Sequence, residues 1–319
     1  MATQPNLSVV IPFLDEEESI PELYKWIVQV LEEASLSFEV IFIDDGSTDQ
    51  GWDWVKETAA KDSRVLGIRF LRNYGKSQAL HAGFLKCRGE VVCTMDADLQ
   101  DSPEELQDLY QLITQGGYDM ISGWKKKRYD SVLLKNLPSK IFNWAARMVS
   151  GIKLHDFNCG LKAYRQDVVK TIEVYGEMHR YIPVLAKQAG FKRIGEKVVK
   201  HQARKFGQSK FGPDRFVKGF LDLVTLWFLN RFGRRPMYFF GLIGSIMLLL
   251  GFSFSIYLGI DKLIFNPQGR LIAQRPQFYI ALTTMILGSQ FFLAGFLGEI
   301  IVRNRKHTLR YKIKEATGE

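Results

Sequence analysis

The sequence predicts an α/β domain with a mostly parallel, doubly wound sheet, followed by a pair of helices of membrane-spanning length. In the first 125 residues, short apolar runs alternate with helical stretches. Acidic residues directly follow several of those runs. Residues 236–260 and 276–298 contain no Asp, Glu, Lys, Arg or His. Each of these two segments is long enough to cross about 30 Å of hydrocarbon as a helix.

The composition is that of a folded protein of about two structural units, given its 319 residues. A hydrophobic content of 46% excludes disordered and low-complexity classes. The chain is basic, with a net charge of +9. Its three cysteines form no CxxC pair, so neither a disulfide framework nor a zinc site is expected. The first residues lack the pattern of a signal peptide, and none is expected.

Strands and helices are predicted to alternate along this first part. The apolar runs VVI, VIFI and VVCTM are continuous rather than alternating, which is typical of strands buried on both faces. The predicted strands are Leu7–Phe13, Glu39–Asp45, Arg64–Phe70, Glu90–Asp96 and Tyr118–Ser122. The predicted helices are Glu16–Ser35, Gln50–Lys61, Lys76–Cys87 and Pro103–Thr114. Strand–helix repetition of this kind favours a parallel sheet, whose ligands bind at the carboxyl ends of the strands.

The later part of the chain is predicted to reach and cross a membrane. Residues 125–213 look irregular and basic, and residues 214–235 are predicted as an amphipathic interfacial helix. Residues 236–302 are predicted as a transmembrane pair and 303–319 as a basic tail. Nine basic residues flank the pair, against three in the loop that joins its helices. The positive-inside rule therefore places the domain of residues 1–213 in the cytoplasm.

Asp96 and Asp98 are the strongest local indication of chemistry. Two carboxylates just past a buried strand can hold Mg²⁺ or Mn²⁺, and Gln100 can add a third oxygen. Glycine-rich phosphate loops are missing from the sequence, so a phosphorylated ligand is expected to bind through this metal. The alternative is a solvated loop in which an aspartate caps the following helix.

A second acidic strand end carries Asp44 and Asp45. We interpret Asp44 as an acceptor for hydrogen bonds from the base or ribose of a nucleotide. Turn formation and helix capping explain residues 46–49 of this segment, although they leave the adjacent carboxylates unexplained.

Basic residues lie on two later segments. Arg204 and Lys210, on a glycine-punctuated segment, are predicted to close over a diphosphate. Lys125 and its neighbours to Arg128 suit either a lipid phosphate or an anionic membrane surface. Asp156 is a candidate base or orienting group, with a turn-forming role as the alternative.

These motifs together resemble glycosyltransferase family 2, and within it the polyprenyl-phosphate glycosyltransferases. The resemblance rests on VVIPFLDEEESI, FIDDGSTD, RNYGKSQALHAGF, MDADLQDSPE, DFNCGLKAYR and HRYIP, and it runs over nearly the whole chain. It implies a GT-A fold and a metal-dependent, inverting transfer of a sugar from a nucleotide-sugar to a membrane polyprenyl phosphate.

The resemblance also implies roles for individual residues. It places the nucleoside at Pro12, Glu16 and Asp44, with Asp45 beside them. It places the metal at Asp96, Asp98 and Gln100, and the donor diphosphate at Arg204 and Lys210. It places the acceptor phosphate at Arg128 and Ser139, with Lys125 nearby. Asp156 matches an acidic position proposed to act in catalysis.

The sugar is less well defined than the chemistry. Leu14 and Trp124 depart from residues common in relatives. Two membrane helices fit the bacterial glucosyl type, so UDP-glucose is the expected donor; GDP-mannose, UDP-N-acetylglucosamine and a modified arabinose are the alternatives. Relatives also indicate a homo-oligomer, with a tetramer as one form. The expected location is the bacterial plasma membrane, and no nucleic-acid partner is expected.

Two other functions fit the sequence less well. A processive polysaccharide synthase needs more membrane helices and usually a QxxRW motif, which this sequence lacks. A non-catalytic scaffold that binds nucleotide-sugars has no need of the paired Asp96 and Asp98.

Overall fold

The computed structural model describes most of the chain in two units. The described residues are 4–126, 143–144, 146–148, 150–176, 178–202, 205, 225, 228, 231–233, 235–303 and 313–318. The first unit comprises residues 1–226 and 309–319, and the second comprises residues 227–308. Of the predicted interfacial helix, only six residues fall within the described part.

An eight-stranded sheet forms the centre of the first unit, in the order β7-β5-β6-β4-β1-β2-β3-β8. β1, β2, β3 and β4 pair in parallel, whereas β6 and β8 run antiparallel to their neighbours. The mostly parallel sheet is thus confirmed. The strands are β1 Leu7–Phe13, β2 Phe38–Asp44, β3 Val65–Phe70, β4 Val91–Thr94, β5 Met120–Trp124, β6 Lys162–Arg165, β7 Ile194–Val198 and β8 Ile313–Thr317.

Helices connect these strands on both faces of the sheet. α1 illustrates why they form: Ile20, Leu23, Ile27 and Leu31 recur at helical spacing and are all buried, while Pro21 occupies the first turn. Among the described residues, the helices of this unit with defined bounds are α1 Ile20–Glu33, α2 Gly51–Lys61, α3 Lys76–Lys86, α4 Glu105–Thr114, α5 Gln166–Thr171 and α6 Ile182–Gln188. A single 3₁₀ turn, Met178–Tyr181, precedes α6.

The core accounts for the continuous apolar runs in the sequence. Every residue of β2 is buried, and so is every residue of β4. Both strands lie inside the sheet and are covered on both faces, so no polar alternation is needed. Their carboxyl ends, where Asp44 and Asp96 occur, meet at one edge.

Two regions depart from the sequence prediction. Residues 125–213, expected to be irregular, contain β6, α5, the 3₁₀ turn, α6 and β7. The predicted tail contains β8, which pairs with β3. Trp52 Nε1 donates a hydrogen bond of 2.7 Å to Glu315 Oε2 on β8. β8 is polar and exposed, so it lacks the apolar pattern by which a strand is recognised.

The second unit consists mainly of two long helices, α7 Met237–Ile260 and α8 Pro276–Arg303. Met237–Phe265 and Pro276–Val302 are long and apolar enough to cross a membrane, with mean hydropathies of 2.1 and 1.8. The helices approach each other at glycines: a Cβ at Gly244 would lie 2.6 Å from the Gly288 carbonyl oxygen. Small residues permit such close contact between apolar helices.

Candidate active site

The loops after β1 and β2 are joined by hydrogen bonds between side chains and backbone. The Asp15 N–H donates to Ser47 Oγ at 2.9 Å, and the Thr48 N–H donates to Asp15 Oδ1 at 2.8 Å. The Gln50 N–H donates to Glu17 Oε2 at 2.8 Å. Short polar side chains favour such local bonds over regular structure. Pro12, in β1, and Glu16, in the loop after it, are both half-buried.

Asp44 is fully buried at the end of β2. Its Oδ1 accepts the Ser47 N–H at 2.7 Å, and its Oδ2 lies 3.1 Å from Arg69 Nε. Burial raises the pKa of Asp44, although the hydrogen bonds from Ser47 and the charge of Arg69 oppose that rise. The Asp44 carboxylate therefore stabilises the turn after β2, a role that the sequence suggested only for residues 46–49.

Asp45 is held by the loop before α3. Its carboxylate accepts the N–H groups of Tyr74 at 2.7 Å and Gly75 at 2.9 Å. Burial raises the pKa of Asp45 to about 6, even though those two hydrogen bonds lower it. Asp44 and Asp45 thus fix the strand end to Arg69 and to the start of α3.

We expect Asp45 to make stability depend on pH. The pKa of Asp45 rises from 3.8 to about 6 on folding, so the folded protein binds this proton more tightly. The contribution of Asp45 to stability is therefore present below about pH 4 and is lost as pH rises through 6. The melting temperature of the native protein minus that of Asp45→Asn should fall between pH 4 and 7. A difference that stays constant or rises would contradict this assignment.

Asp96 and Asp98 follow β4, as predicted. The Asp96 carboxylate forms a close ion pair with Lys76 Nζ, at the start of α3. Burial alone would raise the pKa of Asp96, but Lys76 and Lys125 outweigh it and hold the pKa at about 2. Asp98 Oδ1 accepts the Gln100 N–H at 3.2 Å. Both carboxylates are therefore at the predicted strand end, and that of Asp96 is charged at neutral pH.

The residues after this pair are tied to the segment that leads to Arg204. The Gln202 N–H donates to the Gln100 carbonyl oxygen at 2.9 Å, and Asp101 and His201 form an isolated β-bridge. Asp101 is fully buried, and its carboxylate lies 2.7 Å from Lys125 Nζ. Lys125 is only 11% exposed, so here it neutralises Asp101. Four predicted residues lie outside the described residues, namely Arg128, Ser139, Arg204 and Lys210.

Asp156 is buried, 1% exposed, in the loop before β6. Its Oδ1 accepts the Asn158 N–H at 3.0 Å and thereby shapes the turn that leads to Gly160. Thr94 Oγ1 donates to the Gly160 carbonyl oxygen at 2.8 Å, and a Cβ at position 160 would collide with the Asp96 carboxylate. Asp156 thus supports the loop that packs against Asp96.

Sequence reasoning missed two basic residues at this site, Lys76 and Lys162. Lys162, on β6, is 4% exposed, and its ammonium donates to the Cys159 carbonyl oxygen. Burial lowers the pKa of Lys162. Both lysines lie in segments singled out as motifs, RNYGKSQALHAGF and DFNCGLKAYR. Their closeness to Asp96 depends on contacts between distant parts of the chain, which spacing does not reveal.

The fold and the acidic sheet edge define a GT-A-type domain, the class of fold that binds nucleotide-sugars. The chain belongs to glycosyltransferase family 2, whose pattern matches residues 8–173. It is similar to solved structures of glucosyl-3-phosphoglycerate synthase from Mycobacterium tuberculosis. This chain and the chain in the complex of that enzyme with Mn²⁺, UDP and glucosyl-3-phosphoglycerate superimpose with a TM-score of 0.53. They are 18% identical, and the match covers 71% of this chain and 80% of that one.

Relatives of higher identity are polyprenyl-phosphate sugar synthases. The chain is 35% identical over 300 residues to dodecaprenyl-phosphate galacturonate synthase of Rhizobium johnstonii, covering 93% of this chain and 88% of that protein. It is 35% identical over 299 residues to undecaprenyl-phosphate 4-deoxy-4-formamido-L-arabinose transferase of Pseudomonas syringae, covering 93% and 86%. The predicted family is thereby confirmed, and the similarity includes the two apolar helices.

Proposed function

We propose that this protein transfers a sugar from a nucleotide-sugar to a polyprenyl phosphate in the membrane. The observation that carries the proposal is the placement of Asp96 and Asp98 at the sheet edge that also holds Asp44, in a chain with two helices of spanning length. The relatives support the same reaction class. A non-catalytic scaffold would have no use for such a paired carboxylate site.

The nucleoside is proposed to bind at the crevice between the ends of β1 and β2. Its candidate contacts are Pro12, Glu16, Asp44 and Asp45. The carboxylates of Asp44 and Asp45 already accept backbone N–H groups, which fixes their orientation before a ligand arrives. A nucleotide would therefore meet a preformed crevice.

A divalent cation is proposed to bind at Asp96 and Asp98. No group of three His, Cys, Asp or Glu side chains is placed to hold a metal among residues that the structure describes. Two carboxylates nevertheless fit Mg²⁺ or Mn²⁺, since these ions take further oxygens from substrate phosphates and water. Gln100 is the third candidate ligand. Such an ion, when bound, neutralises charge on a leaving diphosphate.

The reaction needs little proton transfer. An oxygen of the acceptor phosphate, already an anion at pH 7, attacks the anomeric carbon and forms the new C–O bond. The bond from that carbon to the nucleoside diphosphate breaks, and the configuration inverts. The protein must chiefly align the two substrates in line and stabilise the leaving group. We therefore favour an orienting role for Asp156 over that of a base, in keeping with its hydrogen bond to Asn158.

The remaining cations are proposed to hold the phosphates. Arg204 and Lys210 are assigned to the donor diphosphate, and Arg128 and Ser139 to the acceptor phosphate. Lys125, the other predicted phosphate ligand, pairs with Asp101 instead. The acceptor is confined to the bilayer, so residues 236–302 are proposed to anchor the enzyme there, with residues 1–213 in the cytoplasm. The residues between 214 and 235 are proposed to lie along the membrane surface, and 303–319 to return to the cytoplasm. A homo-oligomer, with a tetramer as one form, remains part of the proposal.

The donor is proposed to be a UDP-linked sugar with a substituent that glucose lacks. The names of the relatives concern galacturonate and 4-deoxy-4-formamido-L-arabinose. These names support the alternative of a modified sugar better than UDP-glucose.

A donor screen tests the proposal. Purified protein, a short-chain polyprenyl phosphate and Mg²⁺ or Mn²⁺ are incubated with labelled nucleotide-sugars, and product is extracted into organic solvent. Label from one modified sugar would support the proposed donor, and label from UDP-glucose alone would restore the original expectation. No transfer from any donor, with active control enzymes, would favour the scaffold function.

A further inference from the structure

A small pocket lies on the side of Asp96 away from the β1–β2 crevice. Thr94 at the end of β4, Lys162 and Tyr164 on β6, and the 3₁₀ turn before α6 contribute to its lining. Asp44 ends β2, Asp96 follows β4, and Lys162 begins β6. Across the sheet these strands lie in the order β2, β1, β4, β6. A donor with its nucleoside at β1–β2 and its diphosphate at Asp96 would thus direct its sugar towards this pocket.

The lining of the pocket is basic. Its charged side chains are Lys76, Lys162 and Arg180, with the imidazole of His179 beside them. No Asp or Glu contributes to the lining among residues that the structure describes. Of two acids beside this lining, Asp96 forms an ion pair with Lys76, and Asp156 accepts the Asn158 N–H.

The electrostatics of His179 support this description. Its Nδ1 lies 3.1 Å from Ser77 Oγ, and its backbone N–H donates to the same oxygen at 2.9 Å. Burial and the positive charges of Lys76, Arg180 and Lys162 lower the pKa of His179 well below 6.5. The imidazole is therefore neutral at pH 7, and the charged side chains of the lining are those of its lysines and arginine.

The pocket also offers an acceptor for a sugar hydroxyl. Asn158 Oδ1 is buried and makes no hydrogen bond within the part of the chain that the structure describes. A buried amide oxygen is costly unless it accepts a bond. Cations beside a neutral acceptor suit a ligand that carries both an anionic group and hydroxyl groups.

We infer that the pocket of Lys76, Lys162, His179 and Arg180 binds the carboxylate of a hexuronate donor, with Arg180 as the residue that distinguishes it from a neutral hexose. The inference rests on the proposed function, since it concerns the sugar of the proposed donor. Arg180 is half-buried in the lining, and the paired N–H groups of a guanidinium match a carboxylate.

Matched donors test the inference by binding rather than turnover. UDP-galacturonate and UDP-galactose differ only by a carboxylate in place of a hydroxymethyl group, as do UDP-glucuronate and UDP-glucose. Their dissociation constants are measured by titration calorimetry on the full-length protein in detergent with Mn²⁺, without acceptor. At least one uronate should bind roughly tenfold or more tightly than its matched hexose, as expected for a hydrogen bond to a charged group.

Variants assign the preference to Arg180. Arg180→Gln should lose that roughly tenfold advantage while UDP itself binds as before; Arg180→Lys should retain part of it. Lys61→Gln, which removes an exposed charge on α2, is the matched control and should change nothing.

Three results would overturn the inference. Equal binding of uronate and hexose by the native protein would do so without any variant, as would tighter binding of UDP-4-deoxy-4-formamido-L-arabinose than of either uronate. If Arg180→Gln weakened the binding of UDP and of the uronate equally, Arg180 would not be the residue that recognises the carboxylate. In all three cases UDP binding would leave the proposed function standing. Failure of UDP and every UDP-sugar to bind would instead count against the proposed function and the inference together.

Discussion

Asp98→Ala is expected to abolish sugar transfer at every Mg²⁺ or Mn²⁺ concentration while leaving the protein folded. The half-buried Asp98 follows β4, and its carboxylate accepts a hydrogen bond from the Gln100 N–H. Loss of this ligand would leave charge on the leaving diphosphate unbalanced, a defect that costs roughly 10²–10³ or more in rate. Transfer to a short-chain polyprenyl phosphate and Mn²⁺ binding by electron paramagnetic resonance measure the two consequences.

Asp53→Ala is the matched control for this variant. Asp53 is exposed on α2 and forms a surface ion pair with Lys56, a type of contact that contributes little to stability. Its substitution should leave transfer, Mn²⁺ binding and the melting temperature near those of the native protein. Normal turnover in Asp98→Ala would remove Asp98 from the proposed mechanism.

Lys125→Met is expected to destabilise the protein strongly. The substitution leaves the Asp101 carboxylate buried without its partner 2.7 Å away. Burial by itself would lower the pKa of Lys125, but the carboxylates of Asp101 and Asp96 keep it above its ordinary value, so Lys125 is charged at neutral pH. Breaking a buried pair costs about 3–5 kcal/mol, or roughly 6–20 °C in melting temperature for a domain of this size.

The double variant Asp101→Leu/Lys125→Met shows whether the pair is the cause. It removes both charges, so much of the lost melting temperature should return. If Lys125→Met melts like the native protein and only weakens use of the polyprenyl phosphate, Lys125 acts on the acceptor phosphate, as the sequence alone predicts.

The first half of the sheet is visible in the sequence because its strands are buried on both faces. Leu7–Phe13 is predicted at its observed bounds, and α3 differs from its prediction only at Cys87. β6 and β7 escape prediction because they are short and carry charged residues, such as the buried Lys162. Their strand character comes from pairing with β4 and β5, not from local pattern.

The candidate site is likewise predictable from the sequence only in part. Asp44, Asp96 and Asp98 are found from sequence because each follows a recognisable strand. The ion pairs that decide their environment are not found, since Arg69 reaches Asp44, and Lys76 reaches Asp96, only through the packing of the sheet and α3. The prediction for Lys125 rests on its charge, which suits a phosphate, but in the structure Lys125 pairs with the buried Asp101.

The position of β8 in the chain determines when the sheet can be completed during translation. It comes after both apolar helices in the chain, so the ribosome completes it only after those helices have been made. Until then β3 is an open edge, although β2, its partner on the other side, is already available. Open edges recruit strands from other chains. A nascent protein arrested before residue 313 should therefore aggregate through β3, and slow synthesis of the two apolar helices would lengthen that vulnerable interval.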